Sequence, residues 1–464
     1  MNKSFYPFLF IVLTIFIAQA IPDLFADGMF MDGLMYASVA KNLSQGEGSF
    51  WFLHFSDTVF PVFHEHPPLV FGIQSLFYTI FGDSILVEKL FSFATYFISG
   101  FLLFLIWQEI TGKKLSDVSW LPLLFWVLLP LVHWAAVNNI LENTMLIFVC
   151  LSVLFTIKSL KHKKYFYLTV SGLMLFGAFM SKGFTGLFPL SLPFWICCFT
   201  GRHLKFFVID TSVLLVGLFL PLLFIYLFNE EGIASLKAYL DIQVFKSIEE
   251  VKTVNSRFYI LGKLFTELLI PLGLVIVVLI FGKRESSKNE ERPWIFIFFA
   301  LGLSGVLPIL ISMKQSGFYI ICALPFFAMA LALIISSHVK NWVNKIDLTG
   351  KRFKVFRVLG IVLLVSSIAL ALMQKGKSHQ HQVLIHDVRE MAKVLPPHSV
   401  ISVPDDFSQH WSMYAYFQRY AGISLEAGNT YKREYLLLSK NAPFPSDYQW
   451  IDLPTSDFNL LRRK

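Results

Sequence analysis

The chain of 464 residues is 55% hydrophobic and 16% aromatic, contains 50 phenylalanines and is only 15% charged. Its mean hydropathy of +0.62 excludes an ordinary soluble globular domain and indicates a polytopic membrane protein. The net charge of +8 is topological, because the basic residues fall in alternate loops, and this removes the argument for a nucleic-acid partner.

A bilayer-spanning helix needs about 20 mostly apolar residues, and about eleven stretches meet that requirement. In order they are 5–22, 85–108, 119–136, 140–157, 165–181, 184–200, 206–228, 262–281, 293–312, 318–337 and 358–373. The first also reads as the apolar core of a cleaved signal peptide, since Ala18-Gln19-Ala20 resembles a small-residue cleavage site. One set of loops holds Lys3, Lys113, Lys114, Lys158, Lys161, Lys163, Lys164, Arg202, Lys205, Lys283, Arg284, Lys288, Arg292 and the basic run from Lys340 to Arg357. The positive-inside rule makes that side cytoplasmic, together with the N-terminus, in a plasma (inner) membrane protein. The opposite side receives segment 23–84, the turns near Asn138, Lys182 and Lys314, segment 229–261 and everything after 373. All four cysteines (Cys150, Cys197, Cys198, Cys322) lie in apolar runs, which indicates neither a disulfide framework nor a cysteine metal site.

Residues 1–373 thus read as a transmembrane domain, and 374–464 as a small soluble α/β module outside the membrane. Within the module, 380–395 reads as an amphipathic helix and 400–403 as a strand. The stretch 409–420 reads as an aromatic helix and 435–438 as a second strand. The tail containing Pro443, Pro445 and Pro454 reads as loop.

Ionisable groups at a membrane boundary point to function. Tyr36, Ala40 and Leu43 follow Asp32 at helical spacing, so Asp32 sits near a helix start. There it serves either as a cap for free backbone N–H groups or as a general base with a pKa raised by partial desolvation. In His64-Glu65-His66-Pro67-Pro68-Leu69, a residue before proline is held extended, so His64 and His66 project to one side. Two histidines and Glu65 could contribute to a divalent metal site, but no further ligand is evident; phosphate or substrate contact is the alternative. Asn138, Asn139, Glu142 and Asn143 open an outer helix, Lys182 precedes Gly183, and Arg257, Lys314 and Tyr319 lie on the same side. Dipole pairing explains Glu142, and snorkelling explains Lys182, without function.

The order Asp32, Tyr36, Ala40, then His-Pro-Pro-Leu, Gly82, Glu88-Lys89-Leu90, Glu142, Lys182-Gly183-x2-Gly186 with Pro189, and Lys314-x4-Tyr319 with Pro325 resembles the GT-C membrane glycosyltransferases. More narrowly it resembles their bacterial branch related to protein O-mannosyltransferases and lipid A aminoarabinose transferases. The resemblance spans roughly 5–340 and implies an all-α GT-C bundle. It further implies transfer of a sugar from a polyprenyl-phosphate donor to an acceptor hydroxyl on a glycan, lipid or protein, with inversion and with Asp32 as base. Glu142, Asn143 or Asp27 would then act as a second acid or acceptor contact. His66, His64, Glu65, Tyr36, Lys182, Arg257, Lys314 and Tyr319 would serve the donor phosphate or substrate. No cofactor or metal is required by this scheme. Relatives often carry Lys or Arg where this chain has His66, and Asp near Glu142. Segment 229–261 reads as an amphipathic lid, with Tyr239, Gln243, Ser247 and Arg257 as contacts. The alternatives are a lipid or sugar transporter or flippase, whose charges would cluster at the bilayer midplane, and a non-catalytic envelope assembly protein.

Overall fold

The computed structural model describes residues 5–245, 252–282, 291–378 and 380–464; Ser247 and the basic residues Lys3, Lys283, Arg284 and Lys288 lie outside them. The chain begins with α1 (Phe5–Phe25), whose Val12, Phe16, Ala20 and Leu24 are buried in the main core. Two helices too short to span, α2 (Met31–Ser44) and α3 (Leu69–Phe81), follow at one end of the bundle. Next come α4 (Ile85–Thr111), α5 (Leu121–Val127), α6 (Pro130–Val137) and α7 (Leu141–Ser159). They are followed by α8 (Lys164–Lys182), α9 (Leu192–Thr200), α10 (Leu204–Phe228) and the short amphipathic α11 (Glu230–Tyr239). The bundle closes with α12 (Tyr259–Phe281), α13 (Arg292–Val306), α14 (Leu324–Asn344) and α15 (Lys351–Leu372). Helix α14 is buried along most of its length, whereas α15 packs chiefly on α1 and turns most of its apolar surface outward, as expected of a lipid-facing helix.

Among the described residues nine helices are long and apolar enough to cross a membrane, and a tenth span is counted if a bent pair is joined. This differs from the eleven expected, because stretches 165–181 and 184–200 fall in one run, Lys164–Thr200. That run doubles back. Lys164 pairs with Asp210 near the start of α10, and Thr200 also lies just before α10, so both ends of the run reach the same end of the bundle. The reversal falls at Gly183, whose φ of +78° breaks α8.

The bent pair joins 116–127 to α6 at 76°. Pro130 starts the second arm, and the buried N–H of Leu131 donates to Glu267 Oε2 of α12 at 2.9 Å. A carboxylate at a buried helix start satisfies donors that lipid cannot.

Beyond α15 the module contains α16 (Gln382–Ala392), β1 (Val400–Val403), α17 (Trp411–Ala421), β2 (Ser424–Ala427), β3 (Tyr435–Ser439), β4 (Tyr448–Ile451) and β5 (Phe458–Arg463). The sheet order is β2-β1-β3-β5-β4, with β1 parallel to both neighbours and β5 antiparallel to β3 and β4. The expected proline-rich loop is therefore corrected: its prolines lie in the connections, with β4 between Pro445 and Pro454 and β5 after Pro454. The buried Asp387 carboxylate accepts the N–H groups of Ser456, Asp457 and Phe458, which fixes the entry to β5.

The module is not a detached appendage. Leu34, Phe55 and Phe71 of the segment after α1 share one buried cluster with Ile385, Tyr416 and Phe417. Asp27 pairs with Ser378 through the backbone.

Candidate active site

Helix α2 begins at Met31 after Phe30, which supplies no side-chain cap. What holds this helix start is the connection between α6 and α7. Asn138 Oδ1 accepts the Phe30 N–H at 2.8 Å, and Asn139 Nδ2 donates to the Gly33 carbonyl at 3.0 Å. Asn139 adopts a positive φ of 47° and is itself held by Gln74. The approach is so close that a Cβ on Gly33 would stand 2.0 Å from the Asn138 carbonyl oxygen, which demands glycine beside Asp32.

Asp32 lies in this first turn, half-buried, and its carboxylate makes no hydrogen bond or ion pair among the described residues. It is not a cap. Burial raises its pKa to about 6; Lys182 opposes the rise, Glu142 and Glu65 add to it, and Lys314 opposes it. An unpaired carboxylate beside two ammonium groups is available to accept a proton.

Lys182, the last residue of α8, pairs with Glu142 in the first turn of α7, and its Nζ lies 5.2 Å from the Tyr319 ring centroid. Glu142 is buried and its second oxygen has no partner among the described residues. Asn143 turns elsewhere, donating to Ser92 and to the Ala135 carbonyl, so Glu142 is the residue that faces the site. Gly183 gives Lys182 its position: the Tyr239 hydroxyl occupies the space where a Gly183 Cβ would sit.

On the facing strand of the loop, His66 Nε2 shares a hydrogen bond of 3.0 Å with the Tyr36 hydroxyl, one helical turn from Asp32. Burial and the nearby Lys182 and Lys314 push the His66 pKa well down, so the imidazole is neutral; its Nδ1 is buried and has no partner among the described residues. Burial and the Asp32 charge push Tyr36 up, keeping its hydroxyl protonated. Tyr319 is likewise raised, chiefly by burial and then by Glu142.

Gln243 connects the next pair. Its Nε2 donates to Glu65 Oε2 at 2.7 Å and its Oε1 accepts from Lys314 Nζ at 2.8 Å. Burial raises Glu65, against Lys314 and this hydrogen bond. Buried Gln315 fixes the Lys314 loop by donating to the carbonyls of Arg257 and Ser312 and accepting from the Ile260 N–H.

The structure therefore brings together Asp32, Tyr36, Glu65, His66, Glu142, Lys182, Lys314 and Tyr319. His64 lies at the edge, 3.5 Å from Ser235, with its pKa lowered by burial. Two expected residues stand apart from this cluster. Asp27 is held by Arg389 of α16 at 2.8 Å and belongs to the module seam. The Arg257 side chain is exposed, and only its carbonyl is engaged. His64, Glu65 and His66 turn to three different partners, and among the described residues no group of three metal-ligating side chains is assembled. Sequence reasoning missed Gly33 and Gln315 as positioning residues. Their signals, a glycine directly after the acid and a polar residue directly after Lys314, are too short to stand alone.

Spans, reversals and a polar cluster gathered at one end define a multi-pass membrane protein with the GT-C fold. The structure is similar to ArnT from Cupriavidus metallidurans bound to undecaprenyl phosphate, with a TM-score of 0.65, 12% identity, and coverage of 99% of this chain and 98% of that one. The apo state of ArnT gives 0.64 at 12% identity, covering 98% and 96%. The archaeal oligosaccharyltransferase AglB from Archaeoglobus fulgidus, in complex with an inhibitory peptide and a dolichol-phosphate, gives 0.51 at 13%, covering 92% of this chain and 65% of that one. In sequence, residues 65–226 match the dolichyl-phosphate-mannose-protein mannosyltransferase family model, a stretch that includes His66, Glu142 and Lys182. A search of curated proteins finds no match.

Proposed function

We propose that the chain is an inverting membrane glycosyltransferase using a polyprenyl-phosphate sugar, with Asp32 as general base. The observation that carries this reading is the unpaired, half-buried Asp32 carboxylate, at about pKa 6, beside Lys182 and Lys314. A base poised just below neutral pH is ionised in the working range yet still basic enough to take a proton.

In the transfer, Asp32 removes the proton of the acceptor hydroxyl as its oxygen bonds to the anomeric carbon. The bond from that carbon to the phosphate oxygen breaks on the opposite face, and its electron pair leaves with the lipid phosphate. Lys182 and Lys314 supply cationic donors to the departing phosphate, while neutral His66 and protonated Tyr36 can supply only uncharged hydrogen bonds. The bound lipids of ArnT and AglB, an undecaprenyl phosphate and a dolichol-phosphate, support a polyprenyl carrier as donor. The site end faces the extracytoplasmic side in this reading, consistent with the basic residues at the other end.

The test uses purified protein in lipid nanodiscs with radiolabelled polyprenyl-phosphate sugars and a panel of glycan, lipid and peptide acceptors. Label leaves the carrier with wild type and not with Asp32→Asn. Equal turnover by Asp32→Asn would remove Asp32 as base, and no turnover across the panel would remove the transferase reading.

A further inference from the structure

A second polar cleft lies where the loop after α2 meets the module, and the proposed transfer step makes no use of it. It measures about 300 Å3 and is lined by Glu47, His54, Asp57, His398, Gln418 and Ser424, with glycines 48 and 422 and no apolar side chain. That volume is at the small end of ligand pockets, which begin at about 300 Å3. The seam beneath it is tied: the Asp57 N–H donates to Ser424 Oγ at 3.0 Å, and Thr58 Oγ1 donates to the Leu425 carbonyl at 2.6 Å.

Gln418 provides the observation that points to a ligand. It is 5% exposed, its side-chain amide makes no hydrogen bond among the described residues, and its Oε1 is buried without a partner. Such a group costs stability unless something pairs with it. The surrounding backbone is also shaped at a cost, since His398 carries a positive φ of 57° without being glycine.

The lining selects the chemistry. Glu47 faces His398 Nδ1 at 3.2 Å, and Asp57 faces His54 Nε2 at 3.6 Å. Two carboxylates disfavour an anion, the lining offers an acyl chain no apolar side chain to pack on, and an unpaired amide needs both a donor and an acceptor. Sugar hydroxyls are both, and an amino group adds a donor to the carboxylates. We propose that this cleft binds a short neutral or amino-bearing saccharide, the glycan portion of the acceptor. The acceptor role rests on the transferase reading; the binding does not.

The test is saturation-transfer NMR on the full chain in nanodiscs, titrated with methyl glucoside, chitobiose, glucosamine and glucosamine 6-phosphate. The first three bind, and the phosphate ester binds at least tenfold more weakly. Gln418→Met loses at least tenfold in affinity without a lower Tm, because its amide has no protein partner to lose. The pair Glu47→Gln with Asp57→Asn narrows the discrimination against the phosphate ester. Asp32→Asn binds saccharide as wild type does, and saccharide binding by wild type with no transfer from any donor would overturn the transferase reading while leaving the cleft standing. Absence of saccharide binding by wild type, preference for the phosphate ester, or unchanged affinity in Gln418→Met overturns the proposal.

Discussion

Arg419 of the module grips Glu88 of α4 through two hydrogen bonds, Nε to Oε1 at 2.9 Å and Nη2 to Oε2 at 3.0 Å, with both side chains almost fully buried. A third donor reaches Asp83, which also pairs with Lys41 of α2, the helix that carries Asp32. Removing one partner of such a pair leaves the other charged, buried and uncompensated, at a cost of roughly 3–5 kcal/mol. Arg419→Met is therefore expected to lower Tm strongly. Adding Glu88→Gln should recover part of the loss, as read by thermal melts of the four members of the cycle.

Asp32→Asn should separate chemistry from stability. Loss of a general base typically costs about 10²–10⁴-fold in turnover. Because burial raises the folded pKa above that of the unfolded chain, ionised Asp32 opposes folding as pH rises through about 6. At pH 7 the asparagine variant should be no less stable, and up to about 3 kcal/mol more stable. Lost activity together with a lower Tm would point to a structural role instead.

The same carboxyl sets the pH profile. Only its ionised form accepts a proton, so kcat/KM should climb through pH about 6 and level off above it. A profile flat from pH 5 to 8 would contradict the assignment.

The two lysines should fail differently. Lys182→Met strands buried Glu142, so both activity and Tm fall, and adding Glu142→Gln restores Tm but not turnover. Among the described residues the Lys314 ammonium hydrogen-bonds only the neutral Gln243 side chain, so Lys314→Met should cost turnover with little change in Tm. Parallel assays and melts distinguish the pair.

Gly33→Ala puts a methyl group 2.0 Å from the Asn138 carbonyl oxygen. The helix start must shift, and turnover should fall at least tenfold although the carboxylate itself is untouched.

Much of the site was legible because lipid makes charge expensive: Asp32, Lys182 and Lys314 stand out wherever apolar runs end. Hydropathy could not show that Lys182 meets Glu142, 40 positions away, nor that Gln243 connects Glu65 with Lys314. Those pairings depend on how the helices pack. Asp27 has the same sequence signature as Asp32, and only the fold reveals that Arg389 holds it. The stretches 165–181 and 184–200 follow one another with almost no loop, and hydropathy does not show that the chain reverses between them at Gly183. Strands β2, β4 and β5 escaped notice because four to six residues carry too little alternation to register.

The shared core of the first loop and the module has a consequence for biosynthesis. Arg419 follows Glu88 by 331 positions, so a ribosome inserts nearly every span before the partner of Glu88 exists. Until then Glu88, Asp83 and the apolar faces of α2 and α3 wait uncovered. The end that carries Asp32 is thus covered only after the residues of α17 have been made. A chain stopped after Leu372 should insert its helices normally, yet be cut within residues 45–66 by protease added from that side.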